Sequence, residues 1–376
     1  MIIGVPKEIK EQEQRVAITP AGVEELRKDG HEVIVESMAG FGSGYSNADY
    51  YTAGAKICTG AASVWDPVDL IVKVKEPLNP EFKFFRKDLV LFAYLHLESQ
   101  ECKQLTIALK KAEAVAIAYE SIIGQYGDRP LLRPMSEIAG RMSIQIAAQC
   151  LEARNKGKGI LMGGIPGVRR ANVVIIGGGV AGRQAAHVAV GMGARVTILD
   201  IDEKTLSSLS KEFGNSIDLL FSNKHNLEGV INANTDVVIG AVLVPGSRAP
   251  KLITKEMTAR MQRGSVIVDI AIDQGGCIEA CDKSTTHTNP TFIDENGIIY
   301  YCVANMPGAV PQTSTIALTN ATLKYVKLLA KTIVDNNGDF SPDSLFSRMC
   351  QSRLPNGIQI CQDRIFNSSL IKIHDL

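Results

Sequence analysis

One stretch constrains this chain more than any other. Val173-Val-Ile-Ile runs directly into Gly177-Gly-Gly179-Val-Ala-Gly182-Arg-Gln-Ala-Ala, an apolar strand that turns through glycines into a helix. Each glycine has its own task in such a turn. Gly177 lets the chain bend tightly, Gly179 carries no side chain to block a pyrophosphate, and Gly182 lets helix and strand pack closely. The helix start then offers backbone N–H groups to the phosphates. A G-x-G-x-x-G pattern alone is weak, but here the following strand ends at Asp200, placed to accept hydrogen bonds from adenosine ribose hydroxyls. The same carboxylate would repel a 2′-phosphate, so the pattern favours NAD over NADP.

The rest of the chain has the rhythm this motif requires. Short apolar strands are predicted at residues 2–5, 31–36, 70–74, 90–95 and 115–118, with helical segments between them. Thr19-Pro20 opens the first helix and Gly30 closes it. A helix is predicted over 136–154, capped by Ser136, and glycine-rich punctuation follows. A second strand series covers 173–176, 195–199, 217–221, 236–241, 265–270 and 299–303, before a helix over 313–334. The expected fold is α/β: two Rossmann-like, doubly wound parallel-sheet domains joined by long helices, with a cleft between them. The expected division is 1–130 plus 312–376 as a discontinuous substrate domain and 131–311 as the dinucleotide domain with its linking helix.

Composition narrows the function classes. Forty basic residues balance forty acidic ones, which argues against a nucleic-acid or membrane-surface partner, since both select a basic excess. The longest apolar runs, such as 237–244, fall far short of the roughly 20 residues that span a bilayer. The start of the chain reads as a strand and a charged turn, not a secretory leader. Eight cysteines include no C-x-x-C pair, and Cys277 and Cys281 have no neighbouring cluster to complete a zinc site. Reduced thiols in a cytoplasmic protein without a bound metal are expected.

Ligands of open α/β sheets bind beyond the carboxyl ends of the strands. Asp200, the turn at Val242-Leu243, Ile270-Ala-Ile-Asp273 and Ala304-Asn305-Met306 all fall there. Of Asp269 and Asp273, one is expected to cap the turn into Gln274-Gly-Gly, and Asp273 is the preferred catalytic candidate. In the first third, His96 ends an apolar run, where it serves either as a proton-exchanging group or as a hydrogen-bonded structural histidine. Lys73 and Lys75 stand on an apolar strand, which means either a buried anion site or a solvated edge strand. Arg15 is either a fork for a substrate carboxylate or an ordinary surface arginine.

Taken together, the segments Gly4-Val-Pro-Lys-Glu, Arg15-Val-Ala-Ile-Thr-Pro-Ala-Gly22, Val72-Lys-Val-Lys75-Glu-Pro77, Leu95-His96-Leu, Pro134-Met-Ser136-Glu, Leu161-Met-Gly-Gly-Ile-Pro-Gly, Ile239-Gly-Ala-Val, Val268-Asp-Ile-Ala-Ile-Asp-Gln-Gly-Gly-Cys277 and Tyr301-Cys-Val-Ala-Asn-Met-Pro-Gly308 give the chain a likeness. It resembles the bacterial L-alanine dehydrogenase family and, more distantly, the NAD-binding part of proton-translocating transhydrogenase. The resemblance covers residues 1 to about 330. It implies NAD-dependent oxidative deamination of L-alanine to pyruvate and ammonium, and the reverse. It implies Arg15 and Lys75 on the substrate carboxylate and His96 with Asp273 as the catalytic pair. The NAD site it implies is lined by Ser136, Val180, Ala181, Asp200, Ser222, Val242, Leu243, Ile270, Ala271, Ile272, Asp273, Val303, Ala304, Asn305 and Met306, with the three motif glycines. A homo-oligomer, with a hexamer favoured, is also implied. The chain departs from the family pattern at Gln312, at Cys281-Asp-Lys283, and from about Asn337 onward. Three other readings stay open: a transhydrogenase-like subunit, a non-catalytic NAD-binding relative, and a dehydrogenase for glycine and glyoxylate.

Overall fold

The structure is a computed structural model, and it describes residues 1–242, 249–335, 340–351 and 355–374. The chain divides into two compact units, Met1–Met135 with Val310–Leu376, and Ser136–Ala309. In the first unit lie strands β1 (Ile2–Val5), β2 (Glu32–Glu36), β3 (Lys56–Cys58), β4 (Leu70–Val72), β5 (Val90–Ala93) and β6 (Val115–Ala118). The second unit holds β7 (Asn172–Ile176), β8 (Arg195–Asp200), β9 (Ile217–Phe221), β10 (Val237–Gly240), β11 (Val266–Asp269), β12 (Thr291–Ile293) and β13 (Ile299–Tyr301). Two more strands, β14 (Ile358–Cys361) and β15 (Arg364–Ile365), return to the first unit.

Both sheets have the same plan. In the first, six parallel strands run in the order β3-β2-β1-β4-β5-β6, extended at the β6 edge by antiparallel β14 and β15. In the second, the parallel order is β9-β8-β7-β10-β11-β13, with β12 antiparallel at the edge. Strand order reverses between β1 and β4 in one sheet and between β7 and β10 in the other. Such switch points open a crevice beyond the strand carboxyl ends, where these folds bind ligands.

Burial explains why the central strands read as continuous apolar runs. Every residue of β4, β5, β6, β10 and β11 is buried, because helices cover both faces of a parallel sheet. One core gathers Trp65, Val68, Ile71, Leu91, Leu95, Leu105 and Leu109, joined by Ile360 and Leu370 from the end of the chain. The other gathers Ile176, Leu199, Val238, Ile253, Ile267, Ile278 and Tyr300.

Local signals mostly hold. Thr19 caps the helix Pro20–Lys28 by accepting from Gly22 N, and Gly30 follows it at φ +85°. The helix predicted to start after Ser136 begins earlier, at Arg133, and runs to Cys150. Pro134 sits in its first turn, where the missing N–H costs nothing, so Ser136 lies inside the helix and does not cap it. The later helix spans Pro311–Asp335. Two edge strands, β3 and β12, and the pair β14–β15 had no place in the sequence reading. Among the described residues, no helix is long and apolar enough to cross a membrane.

Candidate active site

The carboxyl edge of the second sheet is built from backbone. Gly177 has φ +99°, and a Cβ there would stand 2.7 Å from Ala241 O, across the switch point between β7 and β10. Gly182, in the helix Val180–Gly191, is tighter: its Cβ would meet Gly177 O at 1.8 Å. Gly179, the residue that begins the helix, is the opposite case, with nothing within 4 Å of a built Cβ. No side chain caps this helix start, so its first N–H groups have no side-chain acceptor. Gly140 packs so close that a Cβ would lie 2.1 Å from Ala181 O, which brings half-buried Ser136, one turn earlier on its helix, toward the same helix start.

Asp200 ends β8 and orders the turn beside the glycines. Its Oδ2 accepts from Gly178 N at 2.6 Å, its Oδ1 from Asp202 N at 2.8 Å, and its carbonyl from Ser222 N at 2.8 Å. A carboxylate has about four lone-pair directions, so these two bonds leave acceptor capacity for ribose hydroxyls. Val242 is half-buried just past β10, and Leu243 lies outside the described residues. Beyond β13, Val303 and Met306 are buried while Ala304 and Asn305 are half-buried.

The two aspartates beyond β11 separate cleanly. Asp269 is buried and accepts from Ala271 N (3.0 Å), Cys277 N (3.0 Å) and Ile278 N (3.2 Å). Burial pushes its pKa up to about 6, despite those backbone donors and the charge of Lys251. It is the turn-capping residue. Asp273 is exposed, at the end of the turn that carries Ile270, Ala271 and Ile272, and among the described residues accepts only long bonds of 3.3 and 3.4 Å from Asn305 N. Asn305 is itself left-handed, at φ +60°.

In the first unit the same edge is lined with charged side chains. Arg15 is buried and bonded side-on to Glu13, Nε to Oε1 at 2.7 Å and Nη2 to Oε2, with Nη1 on Met135 Sδ at 3.1 Å. Burial raises the Glu13 pKa, but the hydrogen bonds and charge of Arg15 outweigh it and hold the carboxyl at about 2. Lys75 adds to that field, and it also faces Glu76, whose pKa is lowered by Lys10, Lys75 and His96 against the effect of burial. Lys75 thus acts on the carboxylates of both Glu13, the partner of Arg15, and Glu76, on which His96 also acts. A cavity of about 480 Å³ opens beside Glu8, Glu13, Arg15 and Met38.

Lys73 follows β4, which lies in the middle of the sheet, so the solvated edge-strand reading does not hold. Its ammonium is fully buried between Glu8 Oε2 (3.2 Å) and Glu81 Oε1 (2.8 Å), and Glu8 Oε1 accepts from Val74 N. Burial alone would lower the lysine's pKa; the two carboxylates raise it instead. Lys73 therefore holds the strand end together, while Lys75, two residues on, acts on Glu13, the carboxylate partner of Arg15.

His96 projects from a turn beyond β5, its side chain 44% exposed. Its backbone is left-handed at φ +47°, a conformation costing roughly 1–2 kcal/mol for a residue with a Cβ. Glu120, just past β6, holds the turn by accepting from His96 N at 2.6 Å and Leu95 N at 3.2 Å. The His96 ring lies parallel to Tyr94, centroids 6.0 Å apart, and Tyr94 Oη donates to Leu131 O. Sequence reasoning missed Glu8, Glu13, Glu81 and Glu120. The signal for the first three was available: a buried ammonium or guanidinium must have carboxylate partners.

Comparison with known proteins bears on the whole chain. The model of the family described as alanine dehydrogenase/PNT matches over its N-terminal domain at residues 4–139 and its C-terminal domain at residues 143–341. An alanine dehydrogenase of Staphylococcus epidermidis is 53% identical over 330 residues, covering 88% of each chain. One of Methanococcus maripaludis is 54% identical over 332 residues, covering 88% of this chain and 87% of its own. A solved L-alanine dehydrogenase superposes with a TM-score of 0.92 at 44% identity, over 100% of this chain and 99% of its own. A transhydrogenase from Sinorhizobium meliloti shares the fold, with a TM-score of 0.80 at 23% identity over 98% and 100% of the two chains.

Proposed function

The chain belongs to the alanine dehydrogenase/PNT family, and on that premise we propose how its residues divide the work. The protein is an NAD-dependent enzyme that interconverts L-alanine with pyruvate and ammonium. The first unit, without its boundary helix turns (1–130 and 312–376), supplies the substrate side, and 131–311 supplies the dinucleotide side. One observation supports this division best. Two sheets of identical strand order present charged side chains at one carboxyl edge and an open, glycine-lined helix start at the other.

The residues present suit a dinucleotide. Gly179 leaves space where a phosphate must approach, Gly182 and Gly177 have no room for a Cβ, and the Asp200 carboxylate stands at the end of β8. Val180, Ala181, Ser136, Ser222, Val242, Leu243, Ile270–Asp273 and Val303–Met306 complete the lining in this reading. NAD, when bound, accepts the hydride that leaves the alanine Cα.

Hydride leaves Cα only when the amine lone pair is available to form the iminium, so the amine must first lose its proton. His96, exposed on its turn, takes that proton, and in reverse donates to the pyruvate oxygen. Asp273, tied only weakly to Asn305, orients and deprotonates the water that adds to the iminium carbon. Arg15 and Lys75 hold the substrate carboxylate and so fix the direction of the Cα–H bond. Arg15 is suited to this because Glu13 pins its guanidinium plane.

A general acid–base group of this kind contributes about 10²–10⁴-fold. His96→Ala should therefore lower turnover by that factor with NADH affinity intact, measured by NADH absorbance and by fluorescence titration. Near-normal turnover would end the assignment. The same assay with pyruvate plus ammonium, glyoxylate plus ammonium, and pyruvate alone reads out substrate choice. We place the enzyme in the cytoplasm as a homohexamer. Free thiols at all eight cysteines suit a reducing compartment, and the hexamer follows the family resemblance.

A further inference from the structure

We propose that the helix Ser368–His374 is a positioning element for His96, acting through the hydrogen bond from His374 to the Leu97 carbonyl. The inference rests on the catalytic reading of His96 and extends it to a segment outside both matched family regions.

The His96 turn is held in a conformation its own residues disfavour, so something else must fix it. Glu120 binds the N–H groups of Leu95 and His96 on the incoming side. On the outgoing side Ser99 N closes the turn onto His96 O at 2.9 Å, and the side-chain contacts come from the far end of the chain. His374, 0% exposed, places Nε2 at 2.6 Å from Leu97 O. A carbonyl only accepts, so Nε2 carries the proton in this bond. Gln100 Nε2 donates to Ile373 O at 2.9 Å, and Asn367 Nδ2 to Glu98 Oε1 at 3.1 Å. Leu370, also 0% exposed, packs in the core that contains Leu95 and Leu97. The Leu97–Glu98 peptide, next beyond the His96 turn, is thereby held by the far end of the chain.

His374 touches no reacting atom in this account. Buried Nδ1 has no partner among the described residues, a cost that a purely apolar side chain would avoid. A phenylalanine would fill the volume and remove both the donor and the orphaned nitrogen, so packing alone would favour it.

The test is His374→Phe beside His374→Gln, which can restore a donor at the Nε2 position. Because a small displacement of a catalytic group has a large effect on rate, His374→Phe should lower kcat about ten-fold. NADH affinity should stay unchanged and the pyruvate KM should move less than kcat, with His374→Gln recovering most of the loss. A folded His374→Phe enzyme with wild-type kcat overturns the proposal, as does equal loss in both variants. Should His374→Phe fail to fold, Gln100→Met decides: a two- to three-fold drop in kcat with normal NADH binding supports the clamp, and no drop overturns it. His96→Ala separates the two levels. If it retains turnover, the catalytic reading has failed; if it abolishes turnover while His374→Phe changes nothing, only the clamp has failed.

Discussion

The two units share one topology and use it in opposite ways. After its first strand, the first sheet continues Pro6-Lys7-Glu8, while the second continues Gly177-Gly178-Gly179. The former fills its switch point with an ion cluster, Lys73 between Glu8 and Glu81. The latter keeps its switch point bare, with Gly177 against Ala241 and open space at Gly179. The same crevice can thus be made from side-chain charge or from backbone N–H groups, and a few turn residues decide which. Side-chain sites need partners to hold buried charges; a backbone site needs only the absence of Cβ atoms.

This contrast can be broken at single positions. The largest effect is expected at Gly182→Ala. Its Cβ would collide with backbone at 1.8 Å, and neither helix nor strand can yield cheaply. A loss of roughly 3–5 kcal/mol in urea unfolding is expected, together with loss of NADH binding.

Glu13→Gln tests the side-chain edge. It leaves a buried Arg15 without its carboxylate, which should cost about 3 kcal/mol at pH 7. The folded pKa of Glu13, about 2, lies below its ordinary value of 4.5. Its stabilising contribution is therefore complete above pH 4.5 and is lost as pH falls toward 2. The gap between wild type and Glu13→Gln in urea melts should be widest at pH 7 and narrow steadily below pH 4.5; a pH-independent gap would refute the pairing.

The mildest change, Gly179→Ala, separates fold from ligand. Open space surrounds that Cβ, so stability should hold within about 0.5 kcal/mol while NADH affinity weakens about ten-fold by fluorescence titration, or about 1.4 kcal/mol. A stable variant with full NADH affinity would mean that the phosphates do not approach there.

The pattern of what could be read from sequence follows the same contrast. The glycine turn was legible because its three residues lie within six positions of one another and each role follows from a missing Cβ. Asp200 was legible because it ends the next strand. The strands other than β3, β12, β14 and β15 were legible as apolar runs, to within one or two residues at their ends. The choice between Asp269 and Asp273 was not, since it depends on the backbone of Cys277 and Ile278 folding back onto one of them. Glu120, which holds His96, lies 24 residues downstream on the adjacent strand's exit, a neighbour only once β5 pairs with β6. Ser136 misled because Pro134, two positions earlier, suits the first turn of a helix, and the helix starts at Arg133, ahead of the serine. β14 is four residues long and pairs with β6 some 240 residues earlier; no local pattern announces such a partner.

That last pairing also orders events during synthesis. Residues 136–309 form a continuous unit, complete in sequence as soon as they leave the ribosome. The first sheet ends at β6 only provisionally, presenting an uncovered edge until β14 emerges, and an uncovered edge is where strands of other chains add. The earlier-born half of the protein is therefore the later one to mature, and the nascent chain carries this uncovered edge while some 240 further residues are made.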